Sequence, residues 1–287
     1  MSLFLSQFIN GLSISAIYFI SAIGLVIILG MLGVVNLALG EMIMVGAYSA
    51  YIFSNVLGLP FFMAMIASFL VTGALGAVME VFLIKRMYGR VAETLLITFA
   101  CSYIIQQIMR ILFGPEEKFV NIPIPQALNI GKVTVPLYNM FIVLCAVLIL
   151  LGTYLLFFKT TLGLQIRSIT QNRTMTTCLG INSRKIDTIT FAYGTGLAGL
   201  AGCLISPIKS VSPQMGLTYT TDALVTVVLG GLSNFMGCFA SAYVIGESVT
   251  LMAGYISEVI AKVLVFLLCI IIIRFRPEGL FTVKDRR

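Results

Sequence analysis

Only a few side chains in this sequence have types and spacings that could do chemistry, and they stand inside or beside strongly apolar stretches. Glu41, Asp222 and Lys262 are ionisable groups within such stretches, and Asn36, Tyr219 and Asn234 add hydrogen-bonding groups nearby. A charge at membrane depth is costly, so it pairs or faces a polar route. Asp222 and Lys262 lie on neighbouring segments and can pair with each other. Glu258 competes for the same lysine, because it stands four residues earlier on the same helix. Lys262 is therefore read as a structural intramembrane charge. Asn36, Glu41, Tyr219, Asp222 and Asn234 are the candidate residues of a solute pathway. For Glu41 a second reading stays open, a wet carboxylate at a tight helix turn on the inner face.

What is missing narrows the chemistry further. The chain contains no histidine, which removes imidazole metal ligands and histidine proton relays. Its six cysteines, Cys101, Cys145, Cys178, Cys203, Cys238 and Cys269, are scattered without a CxxC pair, so neither a zinc site nor a disulfide framework is indicated. No nucleophile stands beside a base, and no GxxxxGK[ST] loop is present. The sequence thus points to no catalytic residue, no metal and no cofactor of its own; any ATP must be bound by a partner.

The elements that position these residues are membrane helices. Of 287 residues, 59% are hydrophobic and 10% charged, and the mean hydropathy is +1.06. A soluble domain carries roughly 25% charged residues. The net charge of +7 does not imply nucleic acid, because most of the eighteen Lys and Arg fall in three clusters beside apolar runs, as the positive-inside rule requires. Spans are expected at Phe8 to Leu29, up to Val56, Phe61 to Ile84, Glu93 to Phe113, Tyr138 to Phe158 and Thr188 to Ser206. The sixth contains GTGLAGLAG, read as a helix-packing face. For the C-terminus to lie inside, the segment from Met215 to Arg274 must cross three times, as Gly216 to Leu232, Phe235 to Ala253 and Ser257 to Ile273. The expectation is an all-α polytopic membrane protein of about 8–10 transmembrane segments, nine by parity. It is a single domain over residues 1–287, with short or broken helices in two pseudo-repeated halves. Leu29 to Tyr48 and Gly216 to Leu232 are the two interrupted segments, one per half, that mark a midplane route. Glu80, Glu93 and Glu247 are read as span-end residues. Lys85, Arg173 and Arg286 are placed on the cytoplasmic side, and Lys118 and Lys209 outside.

The longest polar interruption on the inner side is residues 159–187, KTTLGLQIRSITQNRTMTTCLGINSRKID. Gln171 to Leu179 reads as a short helix stopped by Gly180, with Met175, Cys178 and Leu179 on one apolar face. Such a helix suits docking into a groove of a soluble partner. An ordinary basic loop is the competing reading.

Taken in order, NLALGEMIMVGAY from Asn36, GLQIRSITQNRTMTTCLGI, VSPQMG from Val211, VVLGG from Val227 and RPEGLF from Arg276 resemble the LivH-like permeases of ABC importers for branched-chain amino acids and urea. Leu39 stands where a histidine is common. The likeness is closest to the urea branch, UrtB, through Gln171, Asn172, Arg173, Met175, Cys178, Tyr219, Asp222, Asn234 and AKVLVF around Lys262. Departures are Ala223-Leu224, where a Ser-Phe pair is usual, and Ser233, where a Gly is usual. The resemblance implies a multi-pass protein of the bacterial cytoplasmic (inner) membrane with its C-terminus inside. Its implied partners are a second homologous permease subunit, two ABC ATPase subunits, an extracytoplasmic solute-binding protein and the lipid bilayer. Gln171, Asn172, Arg173, Met175, Leu179 and Gly180 would then couple to the ATPase. The solute would be urea or a short amide. A branched-chain amino acid is the alternative within the family, and a passive channel for small neutral solutes is the alternative outside it.

Overall fold

A computed structural model describes residues 2–88, 90–130, 133–231 and 234–275. Ser233, the RPEGLF motif, Arg286 and the side on which the C-terminus lies fall outside the described residues. The chain is a helical bundle with one short hairpin. Its helices are α1 (Ser2–Leu32), α2 (Leu39–Ala50), α3 (Phe61–Phe82), α4 (Val91–Phe113), α5 (Leu137–Lys159), α6 (Thr161–Gln171), α7 (Arg173–Cys178), α8 (Ser183–Ile205), α9 (Met215–Gly230), α10 (Phe235–Ala253) and α11 (Glu258–Phe275). The hairpin pairs β1 (Ala127–Ile130) with β2 (Val133–Pro136), antiparallel, inside the proline-rich loop.

Among the described residues six helices are long and apolar enough to cross a membrane: α1, α3, α4, α5, α8 and α10. Three more run between the same two ends of the bundle. α2 continues through a π-helical turn, Tyr51–Val56; α9 has 16 residues and α11 has 18. Contacts identify the two ends. At one end the Lys118 and Val211 backbones bridge, Asn55 Nδ2 donates to the Phe119 carbonyl at 2.8 Å, and Lys209 pairs with Glu258 at 2.6 Å. At the other, Thr170 Oγ1 donates to the Met31 carbonyl, and Arg173 pairs with Asp187. Among the described residues the chain runs nine times between these two ends, the last three times as α9, α10 and α11. The protein is a polytopic helical membrane protein.

The centre of the bundle is α2. Every residue from Leu39 to Ala50 is buried, as is most of α1 from Ile17 to Ile28. Lipid tails give no hydrophobic drive between helices, so the core depends on close backbone approach. A Cβ on Gly46 would lie 2.1 Å from the Gly199 carbonyl, and one on Gly202 would lie 1.8 Å from that of Ile43. The glycine run of α8 is thus the face on which α2 sits, as expected from GTGLAGLAG.

The inner loop differs from its expected form. Gln171 to Leu179 is not one helix: the chain breaks at Asn172, with φ −153 and ψ 96, between α6 and α7. Asn172 Oδ1 accepts from the Met175 N–H at 3.0 Å, so the asparagine caps a new helix instead of continuing the old one. Gly180 ends α7 with φ +84, a backbone conformation that a Cβ disfavours. Of the acidic residues read as span ends, Glu80 stands in the last turn of α3, fully buried, and accepts from Tyr88 OH at 3.2 Å and Thr188 Oγ1 at 2.5 Å. The reading of Glu247 is corrected. Glu247 lies within α10 and is 6% exposed, packed against Gly11 of α1. Glu93 is at a helix start as expected, paired with Arg90 at 3.0 Å.

Candidate solute pathway and coupling surface

Two constellations of the sequence-predicted residues form, one on each side of α9. The first lies at the floor of a cavity of about 890 Å³ that reaches in from the hairpin end, between α1, the hairpin loop, α9 and α11. Tyr219, 8% exposed, lines it together with Tyr18 and Lys262. Behind them Asp222 is 1% exposed and accepts from Lys262 Nζ at 2.8 Å. The ammonium also lies 5.9 Å from the centre of the Tyr18 ring. Lys262 therefore takes the distant carboxylate, not the one a turn away, because Glu258 is engaged by Lys209 at the cavity mouth.

The second constellation lies where α2 and α9 begin side by side. A Cβ on Gly40 would sit 2.0 Å from the Gly216 carbonyl and 1.9 Å from Thr220 Oγ1, so the two interrupted segments meet along their glycines. Asn36, fully buried, accepts from the Ala38 N–H at 3.0 Å through Oδ1 and opens α2; its Nδ2 has no partner among the described residues. Glu41 accepts from Ser102 Oγ at 3.0 Å through one oxygen, while the other is buried next to Gly216 without a partner among the described residues. At 2% exposure Glu41 is not the wet carboxylate of a surface turn.

Asn234 belongs to neither group. It caps α10 by accepting from the Met236 N–H at 3.1 Å, beside Thr153 and Tyr154. In its place the fold brings Asn10 and Asn139 to the cavity wall, joined by a 2.7 Å hydrogen bond from Asn139 Nδ2 to Asn10 Oδ1. The signal that could have found the α1 contribution is the spacing Asn10, Ile14, Ile17, Tyr18, which is one helix face. It is hard to see in a run that is apolar almost all round.

On the inner loop, Met175 is 65% exposed and Leu179 is 81% exposed, with Cys178 also exposed between them. Gln171 and Asn172 are exposed too. Arg173 turns the other way: it pairs with the buried Asp187 of α8, and its guanidinium lies 5.1 Å from the centre of the Tyr88 ring. Burial, with Glu80 and Asp187 nearby, pushes the Tyr88 phenol well above its ordinary value, so it stays a hydrogen-bond donor to Glu80. The arginine ties α7 to the bundle, and the apolar pair faces out.

The surroundings of these sites match known transporters over almost their whole length. The sequence profile described as branched-chain amino acid transport system / permease component matches residues 7–273. The branched-chain amino acid permease BraD of Pseudomonas aeruginosa is 28% identical, with 96% of this chain and 95% of that protein covered. The permease LivH of Salmonella typhimurium is 24% identical at the same coverage. A probable LivH of Methanocaldococcus jannaschii is 25% identical, covering 90% of this chain and 86% of the relative. A profile match of this extent, over a helical bundle with glycine-packed interrupted segments, places the chain in the family of branched-chain amino acid transport system permease components.

Proposed function

We propose that this chain is the membrane subunit of an ATP-driven importer for urea or a short amide. The observation that carries the solute reading is the cavity floor. Its ammonium is neutralised by Asp222, and the mouth pair Lys209–Glu258 is likewise closed on itself, so the described residues of the cavity offer no free charge to a zwitterion. Tyr18, Tyr219, Asn10 and Asn139 supply the neutral donors and acceptors that urea, with four N–H groups and one carbonyl, requires. The TQNRTMTTCLGI and AKVLVF segments support the same reading. Branched-chain amino acids are the second reading, favoured by the names of the relatives, BraD and LivH.

In the proposed mechanism the solute enters at the hairpin end and descends to Tyr219. The α2–α9 contact at Gly40 and Gly216 closes the way onward, and its separation during alternating access exposes Asn36 and Glu41. The protein supplies position and hydrogen bonds, with no bond made or broken. The partners in this scheme are a second homologous permease subunit, two ABC ATPase subunits that bind the ATP, and an extracytoplasmic binding protein. Met175 and Leu179 would seat in the ATPase.

Uptake of radiolabelled urea and leucine by cells expressing the complete system tests the solute. The expected result is saturable urea uptake that exceeds leucine uptake; saturable leucine uptake without urea uptake reverses the assignment. Asn36→Leu is expected to slow uptake more than it changes preference.

We further propose that the basic end faces the cytoplasm, a reading supported by its Lys and Arg. Single cysteines at 118 and 209 in a cysteine-free background are expected to react with an impermeant thiol reagent from outside. Those at 85 and 173 should react only after the membrane is opened. Reaction at 85 from outside would invert the topology.

A further inference from the structure

At the basic end, on the flank of the bundle away from the cavity, a second pocket of about 470 Å³ is lined by Val81, Lys85, Arg86, Tyr88, Arg173 and Arg184. The acidic groups packed against it are already engaged. Asp187 holds Arg173, and Glu80 accepts from Tyr88 and Thr188. Lys85, Arg86 and Arg184 have no acidic partner among the described residues, so three positive charges converge on one small pocket. Arg184 stands in the first turn of α8, where the helix dipole adds to the positive potential.

The pocket continues into an apolar track. Val78, Val81 and Phe82 follow one another at i, i+3 and i+4 on α3 and are 56%, 42% and 64% exposed, facing away from the bundle. Lys85 comes one turn after Val81, at the level where the hydrocarbon must end. An ion from solution has no use for such a track, and a soluble partner would not be expected to reach up the lipid-facing side of a span. We propose that this pocket binds the phosphate headgroup of an anionic phospholipid, with an acyl chain lying along Val78, Val81 and Phe82. Because Arg173 lines the pocket and ties down α7, the bound lipid would brace the coupling helix from behind. The proposal holds whichever solute the protein carries.

The test is native mass spectrometry of the purified transporter, measuring retention of phosphatidylglycerol against phosphatidylcholine. The combined variant Lys85→Gln, Arg86→Gln, Arg184→Gln is expected to weaken phosphatidylglycerol retention on the order of 100-fold, with phosphatidylcholine unaffected. Val81→Trp blocks the acyl track without changing charge and is expected to reduce retention about tenfold. It keeps the proposal testable should the triple variant fail to fold. Unchanged retention in both variants overturns the proposal. So does displacement of the lipid by millimolar inorganic phosphate with no effect of Val81→Trp, which would make this a free-phosphate site. Loss of copurifying soluble subunits from the triple variant with lipid retention intact would give the pocket to an acidic protein surface instead.

Discussion

Lys262→Met is expected to destabilise the protein by about 3–5 kcal/mol, because it leaves the Asp222 carboxylate without its ammonium in a site where it is 1% exposed. In a thermal unfolding assay of the purified protein this corresponds to a midpoint lower by roughly 5–10 °C. The lost partner is a cation at 2.8 Å, which no neutral neighbour replaces. The double variant Lys262→Met with Asp222→Asn removes both charges and is expected to recover most of the loss, since what costs is the unpaired charge. A double variant as unstable as the single one would show that packing around these side chains, and not their charge, sets the stability. Glu258→Gln provides the contrast. It breaks only the more exposed pair with Lys209 at the cavity mouth and is expected to change stability by less than about 1 kcal/mol.

The second large effect is expected at the inner loop. Met175→Glu combined with Leu179→Glu should leave the membrane protein folded, because both side chains are largely exposed. The same change should abolish ATP-driven uptake. Apolar anchors of this kind are worth about 2 kcal/mol each when seated in a partner, so association with the ATPase is expected to weaken on the order of 1,000-fold. Copurification of the ATPase and uptake in cells are the two readouts. Normal copurification and normal uptake would remove α7 from the coupling surface. Arg173→Glu is expected to behave differently. It places a carboxylate against Asp187 and frees α7 from α8, so it should lower stability as well as transport, whereas the Met175 and Leu179 changes lower transport alone. Gly180→Ala tests the helix end by itself. At φ +84 a Cβ is expected to cost about 1–2 kcal/mol, with α7 shifted from its seat.

The residues divide by how local their causes are. The apolar runs determined the helices and their number, because a chain in hydrocarbon must satisfy its backbone within each segment. Parity with the basic clusters called for three passes after Met215; three helices, α9, α10 and α11, lie there, and α10 is long and apolar enough to cross a membrane. The glycine run of α8 was legible as a packing face and Gly180 as a stop, since both follow from the missing Cβ. The break at Asn172 is also local, but the side-chain cap that causes it competes with an equally local helix preference, and the sequence does not show which wins. The tertiary structure alone decided that Lys262 reaches across 40 residues to Asp222 instead of one turn to Glu258. It also set Asn36 and Glu41 across α9 from Tyr219 and Tyr18, moved Asn234 to a helix cap, paired Arg173 with Asp187, and buried Glu80 and Glu247. The reason is common to all of these. Helices that are apolar on nearly every side carry no periodic mark of which face turns to which neighbour, so their rotations and pairings are fixed by glycine contacts between segments far apart in the chain.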